Sequence, residues 1–162
     1  MIFVSVGTHE QGFDRLIKQL DIIATNPGIP PIVIQKGYTK YEPINCKHAD
    51  LISPDQMEEY MNKADLVITH GGPSTYMTAL SKNKPTIVVP RLSEFNEHVN
   101  DHQLTFAEQI IENSNYDFAI VTDMDLLEST IRHKLTVKSN IELISNNEQF
   151  NADFQSILEG LL

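Results

Sequence analysis

The stretch Leu66-Val67-Ile68-Thr69-His70-Gly71-Gly72-Pro73-Ser74-Thr75 decides the fold of this chain of 162 residues. Residues 66–69 are apolar or β-branched and predict a buried strand. Two glycines then interrupt the pattern, and Pro73 suits the first position of a helix. The stretch therefore predicts a strand, a tight turn and a helix that runs to about Lys82.

The same unit recurs on both sides of this stretch. Further strands are predicted over Ile2–Val6, Ile32–Gln35, Leu51–Ile52, Thr86–Val89 and Phe118–Val121. Helical spacing of apolar residues predicts helices over Phe13–Ile23, from Pro54 through Met61, over Val99–Ile111, and over Met124–Leu135 with Asp123 as N-cap. Strands that alternate with helices predict an α/β fold, a Rossmann-like parallel sheet with helices on both faces.

An apolar stripe at helical spacing closes the sequence and predicts a C-terminal helix over about 147–162. The two alternatives for this helix are packing on the chain's own sheet and binding a partner. The length suits one domain over 1–162.

Composition excludes several classes of protein. The net charge is −10 with no basic run, which excludes a nucleic-acid partner. Cys46 is the only cysteine and cannot form an internal disulfide, as expected of a cytoplasmic protein. Met1 leads straight into a predicted strand, so no signal peptide is expected. The acidic C-terminal third would be repelled by an anionic membrane, so a partner would have to hold the chain there.

The loop after Thr69 has the composition of an anion site. Gly71 and Gly72 let a ligand approach the backbone closely, and a helix N-terminus offers free N–H groups and a positive dipole end. These features suit a diphosphate, whereas the alternative is a glycine-rich turn with a capping serine. An esterase oxyanion loop also carries His-Gly-Gly, but no G-x-S-x-G nucleophile motif occurs here.

The loop from Gly7 to Gly12 fits only part of a phosphate-binding motif. Phe13 and Asp14 stand where a P-loop needs Lys and Ser or Thr, which argues against an ATPase or kinase. G-x-G-x-x-G is absent as well. Taken alone, this loop is equally well a tight turn.

A third polar loop spans 91–103 and is dense in groups that can hydrogen-bond sugar hydroxyls. His98 and His102 are four residues apart and share a helix face, which is a spacing that can bind zinc. The zinc-protease motif needs Glu where Val99 stands, and no third ligand is evident. No metal or other cofactor is therefore expected.

The three loops, taken in this order, resemble the C-terminal, donor-binding domain of glycosyltransferase family 28. The likeness is carried by residues 2–8, 64–72 and 100–103. It is greatest to standalone donor-binding subunits, both those of bacterial exopolysaccharide and capsule transferases (PssE type) and that of the eukaryotic dolichol-linked chitobiose transferase. It implies the C-terminal half of a GT-B enzyme and a donor that is a uridine diphosphate (UDP) sugar.

The resemblance also implies roles for individual residues. It places the diphosphate at the first two loops, at Gly7, Thr8, His70, Gly71, Gly72, Ser74 and Thr75. It places the uracil near Ile52 and Ser53, and the sugar near Asp101, His102 and Gln103. Thr78 stands where many members carry an acidic residue for the ribose. The catalytic base lies either on the partner subunit or on this chain, where the candidates are His9, Glu10 and His98.

The implied function is transfer of a hexose from the UDP-sugar to a lipid-linked saccharide in polysaccharide biosynthesis. A membrane-anchored subunit would bind the acceptor and hold this chain at the inner face of the cell membrane. The alternatives are a non-catalytic nucleotide-sugar-binding module that regulates a partner transferase, and a fragment of a nucleotide-sugar epimerase or hydrolase.

Overall fold

The computed structural model describes residues 1–113 and 116–137. These residues form a six-stranded parallel sheet with the strand order β3-β2-β1-β4-β5-β6. The strands are β1 (Ile2–Ser5), β2 (Ile32–Gln35), β3 (Lys47–Ala49), β4 (Leu66–His70), β5 (Thr86–Val89) and β6 (Phe118–Ile120). The predicted fold class is confirmed.

Within the same residues, five α-helices connect and cover the strands. They are α1 (Asp14–Ile23), α2 (Pro54–Lys63), α3 (Pro73–Ser81), α4 (His102–Asn113) and α5 (Leu127–Thr136), with short 3-10 turns over Ser93–Phe95 and Met124–Leu126. None of the helices in residues 1–113 and 116–137 is long and apolar enough to cross a membrane.

The pleat of the strands separates two apolar layers. Ile2, Val4 and Ile68 point to one face, where α1 and α5 pack against them. The alternating residues Phe3 and Val67 point to the other face. There Met61 of α2 and Ala79 of α3 cover Phe3 and Val67, while Tyr76, Leu80 and Ala107 pack on Val88.

The chain reverses direction across the sheet between β1 and β4. From β1 it adds β2 and β3 on one side, and then returns to add β4, β5 and β6 on the other. Ligands of open parallel sheets bind beyond the carboxyl ends of the strands at such a switch point. The loops that follow β1 and β4 flank this point.

Several predicted bounds were wrong. Leu51–Ile52 is not a strand: Lys47–Ala49 pairs with Val33–Gln35 instead, and it is a half-exposed edge strand without the apolar run that a buried strand needs. The helix predicted from Val99 begins at His102, where the carbonyl of Asp101 accepts the hydrogen bonds of the first turn.

The predicted N-cap at Asp123 is confirmed, since its carboxylate accepts the N–H of Asp125 at 2.9 Å. It opens the 3-10 turn, and α5 begins three residues later than expected. The helix predicted over 147–162 lies outside the described residues.

Candidate functional site

The loops after β1 and β4 meet at the switch point of the sheet. Helix α3 begins at Pro73, and Gly72 occupies its N-cap position without a side-chain cap. Because Gly72 has no side chain and Pro73 has no N–H, the first-turn donors are the backbone amides of residues such as Ser74 and Thr75. Ser74 is exposed and Thr75 is half-buried. This arrangement presents a helix N-terminus to a ligand.

The imidazole of His70 fills the space between the two loops. A Cβ atom on Gly7 would lie 2.6 Å from His70 Cε1, and a Cβ on Gly72 would overlap the same ring. Gly7 also has a φ of +76°, which an L side chain rarely adopts. Both glycines are therefore required by the position of His70.

His70 is held neutral near pH 7. Burial of the ring is the main cause, and the charges of Arg91, His9 and His98 add to it, so that the pKa of His70 is lowered to about 4. A neutral imidazole has one nitrogen that donates and one that accepts. His70 can therefore offer a donor at this point without carrying a net charge.

Gln103 joins the loop after β4 to the loop after β5. Its side-chain oxygen accepts the backbone N–H of Gly71 and the backbone N–H of Arg91, both at 3.1 Å. Gln103 is buried, and a Cβ on Gly71 would lie 2.5 Å from the Gln103 Cβ. The amide oxygen of Gln103 thus positions the glycine loop.

Arg91 organises the first loop, a role that the sequence did not reveal. Its guanidinium is fully buried and donates to the carbonyls of Val6 (3.0 Å), Gln11 (2.8 Å) and Gly12 (3.0 Å). Its carbon lies 4.8 Å from the ring centre of Phe13. Burial lowers the pKa of Arg91 to about 10, so it remains charged at neutral pH. The local sequence gives one hint of this role, which is that Arg91 closely follows an apolar strand.

Glu97 is also structural. Its two oxygens accept from Arg15 Nε at 3.0 Å and Nη2 at 2.9 Å, and one of them also accepts the Leu92 N–H. Both side chains of the pair are largely buried. Arg91 and Glu97, two polar residues of the third loop, are therefore occupied by contacts that hold the loops together.

Three histidines from two loops form a row in front of these elements. The ring centres of His9 and His98 are 4.8 Å apart, and those of His98 and His102 are 4.6 Å apart. Burial, with added contributions from His102, His9 and Arg91, lowers the pKa of His98. The structure thus unites two predicted base candidates with a predicted sugar contact, and we call this group the histidine row.

The other predicted residues lie around this centre. Thr8 and Glu10 are exposed in the first loop, and the Thr78 hydroxyl donates to the Ser74 carbonyl at 2.8 Å. The carboxylate of Asp101 accepts the Ser93 N–H at 2.7 Å, which lowers the pKa of Asp101.

Ser53 caps α2 through a capping box. Its hydroxyl accepts the Gln56 N–H, its own N–H donates to the Gln56 side chain, and its carbonyl accepts from Met57. Both backbone groups of Ser53 are thus occupied. Ile52, which precedes it, is half-buried.

A cavity of about 470 Å³ opens beside the start of α3. Gly71, Pro73 and His102 line it together with Thr105, Phe106 and Gln109 of α4. It has the mixed apolar and polar lining of a small-molecule site. Within residues 1–113 and 116–137, no group of three or more His, Cys, Asp or Glu side chains is arranged to hold a metal ion.

Comparison with known proteins gives the family. The profile of the Glycosyltransferase family 28 C-terminal domain matches residues 1–159. The UDP-N-acetylglucosamine transferase subunit ALG13 of Homo sapiens is 33% identical over 122 residues, which cover 67% of this chain. The Mus musculus protein of the same name is 31% identical over 119 residues. The chain spans only 10% of the length of each of these relatives.

Solved structures show the same fold at low sequence identity. The glycotransferase of kitacinnamycin has a TM-score of 0.60 and 16% identity, over 84% of this chain and 34% of that one. The calicheamicin glycosyltransferase CalG4 has a TM-score of 0.61 and 14% identity, over 85% and 34%. The sheet therefore corresponds to one half of a GT-B glycosyltransferase, and the chain belongs to glycosyltransferase family 28 as a form of its C-terminal domain.

Proposed function

We propose that this chain is the donor-binding subunit of a UDP-sugar-dependent glycosyltransferase. The observation that carries the proposal is the uncapped N-terminus of α3, which lies with Gly7 and Gly72 at the switch point of the sheet. Such a terminus binds anions through its N–H groups and dipole. Family membership and the name of the human relative, a UDP-N-acetylglucosamine transferase subunit, support a nucleotide-sugar ligand.

Glycosyl transfer leaves negative charge on the departing diphosphate. Backbone amides that are already oriented by the loop stabilise that charge without reorganising during the reaction. Gly7, Thr8, Gly72, Ser74 and Thr75 would bind the diphosphate. Gln103 and the buried Arg91 would hold the two loops in place.

The remaining parts of the donor follow from this placement. The sugar would enter the cavity that Pro73 and His102 line, with Gln103 proposed as a further contact next to His102. The ribose would meet the Thr78 hydroxyl. The uracil would lie near Ile52. Because Ser53 serves as the cap of α2, the backbone of Ile52 rather than that of Ser53 would recognise the base.

The acceptor would come from a partner. We propose a membrane-anchored subunit that binds a lipid-linked saccharide and closes the cleft over the carboxyl edge of the sheet. The human relative is named as a subunit, which supports a heteromeric enzyme. We further propose that the enzyme transfers a hexose at the inner face of the cell membrane and acts in exopolysaccharide or capsule synthesis.

Calorimetric binding of UDP and UDP-N-acetylglucosamine tests the donor assignment. We expect both to bind the wild-type chain, and a Ser74→Pro variant, which removes the amide of that residue, to lose at least tenfold in affinity. Circular dichroism would verify that the variant folds. Absence of UDP binding to the folded wild-type chain would refute the proposal.

A non-catalytic binding module is the second candidate. The specific observation in its favour is that Thr78, the proposed ribose contact, already donates its hydroxyl to the Ser74 carbonyl. Reconstitution with the partner subunit separates the two. If a variant of the histidine row abolishes sugar transfer but leaves the complex and UDP binding intact, the module is excluded; full activity of every such variant would favour it.

A further inference from the structure

The three rings of the histidine row are adjacent but are not bonded to one another. His9 lies in the loop after β1, whereas His98 and His102 belong to the loop after β5 and the start of α4. The centres are 4.8 and 4.6 Å apart, and the rings are tilted by 47° and 72°. The row therefore crosses the switch point of the sheet, in front of His70.

Hydrogen bonds fix the proton positions at the two ends of the row. The Gln11 backbone N–H donates to His9 Nδ1 at 3.2 Å, so a neutral His9 carries its proton on Nε2. At the other end, His102 Nδ1 pairs with the Asn100 side-chain oxygen, which can only accept. His102 Nδ1 is thus the donor, and its Nε2 is free to accept a proton.

The central ring has an unused nitrogen. His98 Nδ1 is buried and has no hydrogen bond of normal geometry within the described part of the chain. A buried polar atom without a partner is uncommon in a folded protein and requires an explanation. The adjacent backbone of Asn100 favours the charged form of His98, but only weakly against the other contributions.

The histidine row has a positively charged neighbour but no carboxylate paired with its rings among the described residues. Cationic Arg91 disfavours a proton on His98, as do the neighbouring rings of His9 and His102. The nearby carboxylates are used elsewhere: Glu97 pairs with Arg15, and Asp101 accepts from Ser93. Glu10, next to His9, is exposed. Glu97 also favours the charged form of Arg91. In the part of the chain that the structure describes, no carboxylate forms an ion pair with the three imidazoles of the row, so these rings have a cationic neighbour but no anion of their own.

A diphosphate would supply that missing charge. His102 and Gly71 line the same cavity, and His70, which separates Gly7 from Gly72, lies close enough to His9 and His98 for their charges to affect it. A ligand at the start of α3 would therefore lie beside the row. An opposite charge within about 4–6 Å stabilises the protonated form of a histidine.

We propose that His9, His98 and His102 form a proton-accepting row, centred on His98, whose charge follows that of the diphosphate bound at the adjoining loops. This inference rests on the proposed function. When the bond between the sugar C1 and the diphosphate breaks, its electron pair stays on the phosphate oxygen. The acceptor oxygen bonds to C1 and its proton moves to the row, so the new cation and the new anion appear together.

The proposal predicts an order of proton affinities. UDP has a free terminal phosphate and is more negative than a UDP-sugar, in which that phosphate is esterified. His98 should hold its proton least in the free chain, more strongly with a UDP-sugar, and most strongly with UDP. A purely structural histidine would show no such order.

NMR titration of the histidine Cε1–H resonances tests this in the full chain. His98→Gln identifies the resonance, and His133→Gln at the exposed end of α5 is the matched control. We expect the pKa of His98 to rise by at least about one unit from the free chain to the UDP complex, with the UDP-sugar complex in between. Phosphorus spectra of the same samples follow the titration of the ligand itself.

Two outcomes separate the inference from the proposed function. In the first outcome UDP binds, but the pKa of His98 is the same as in the free chain, or is higher with the UDP-sugar than with UDP. The row is then not a proton acceptor, whereas the donor assignment stands. If UDP does not bind, the proposed function fails. The proton-accepting role of the row is then tested alone by adding inorganic pyrophosphate. A pKa of His98 that pyrophosphate leaves unchanged would refute that role.

Discussion

The side-chain oxygen of Gln103 accepts the backbone N–H of Gly71 at 3.1 Å, although 32 residues separate them. The same oxygen accepts the N–H of Arg91, so one buried oxygen accepts a hydrogen bond from each of two loops. Each loop follows a different strand of the sheet. The geometry of the proposed diphosphate site therefore depends on a side chain from α4.

Gln103→Leu should be strongly destabilising, because it leaves two buried N–H groups without an acceptor. Such groups cost about 1–3 kcal/mol each, so we expect urea unfolding to show a loss of about 2 kcal/mol or more. Gln103→Glu keeps an acceptor oxygen and should lose clearly less. Equal stability of the leucine variant and the wild type would contradict the role given to Gln103.

Gly72→Ala should weaken UDP binding through His70. The added Cβ overlaps the His70 ring, so either the ring or the loop must move. We expect at least a tenfold loss in affinity by calorimetry, and a much smaller loss when the change is made in a His70→Ala background. Gly12→Ala, whose Cβ would meet its nearest atoms at an ordinary 3.4 Å, is the control. Identical losses in both backgrounds would show that the ring is not the cause.

Arg91→Lys should destabilise the fold even though it preserves the charge. Lysine cannot reproduce the planar fork that bonds the carbonyls of Val6, Gln11 and Gly12. We expect a loss of about 2 kcal/mol or more in the free energy of unfolding. Arg132→Lys, in an exposed pair with Glu128, should change it by less than about 0.5 kcal/mol. Similar values for the two variants would exclude Arg91 as the organiser of the first loop.

Stability should fall as the pH drops below 6.5. The pKa of His70 is lowered from its ordinary 6.5 to about 4 in the folded chain, so the unfolded chain binds the proton first. The stability that His70 contributes is present above pH 6.5 and is lost as the pH falls toward 4, by about 3 kcal/mol at most. Between pH 6.5 and 5, His70→Asn should flatten the curve measured by urea unfolding. An unchanged slope in that window would mean that His70 is not held neutral by the fold.

Most strands and helices were predictable because the sequence patterns that indicate them are local. Four or five apolar residues between turn residues define β1, β4 and β5, and the Ser53-Pro54 pair marks the start of α2. β3 was missed because it is an edge strand of three residues with two of them exposed. Its existence depends on pairing with β2, which no local pattern encodes.

The site was only partly predictable for a similar reason. The glycine loop after β4 could be recognised from its composition, whereas the roles of Arg91 and Glu97 depend on partners about 80 residues away. The histidine row likewise brings His9 next to His98. That contact follows from the strand order, which places β1 and β5 on either side of β4.

A crystal structure of the chain with UDP tests the central claim most directly. We predict that the diphosphate contacts the backbone amides at the start of α3, with at least one phosphate oxygen within hydrogen-bonding distance of the Ser74 or Thr75 nitrogen. A nucleotide bound elsewhere on the sheet, with the turn at Gly71 and Gly72 free of ligand, would contradict the account.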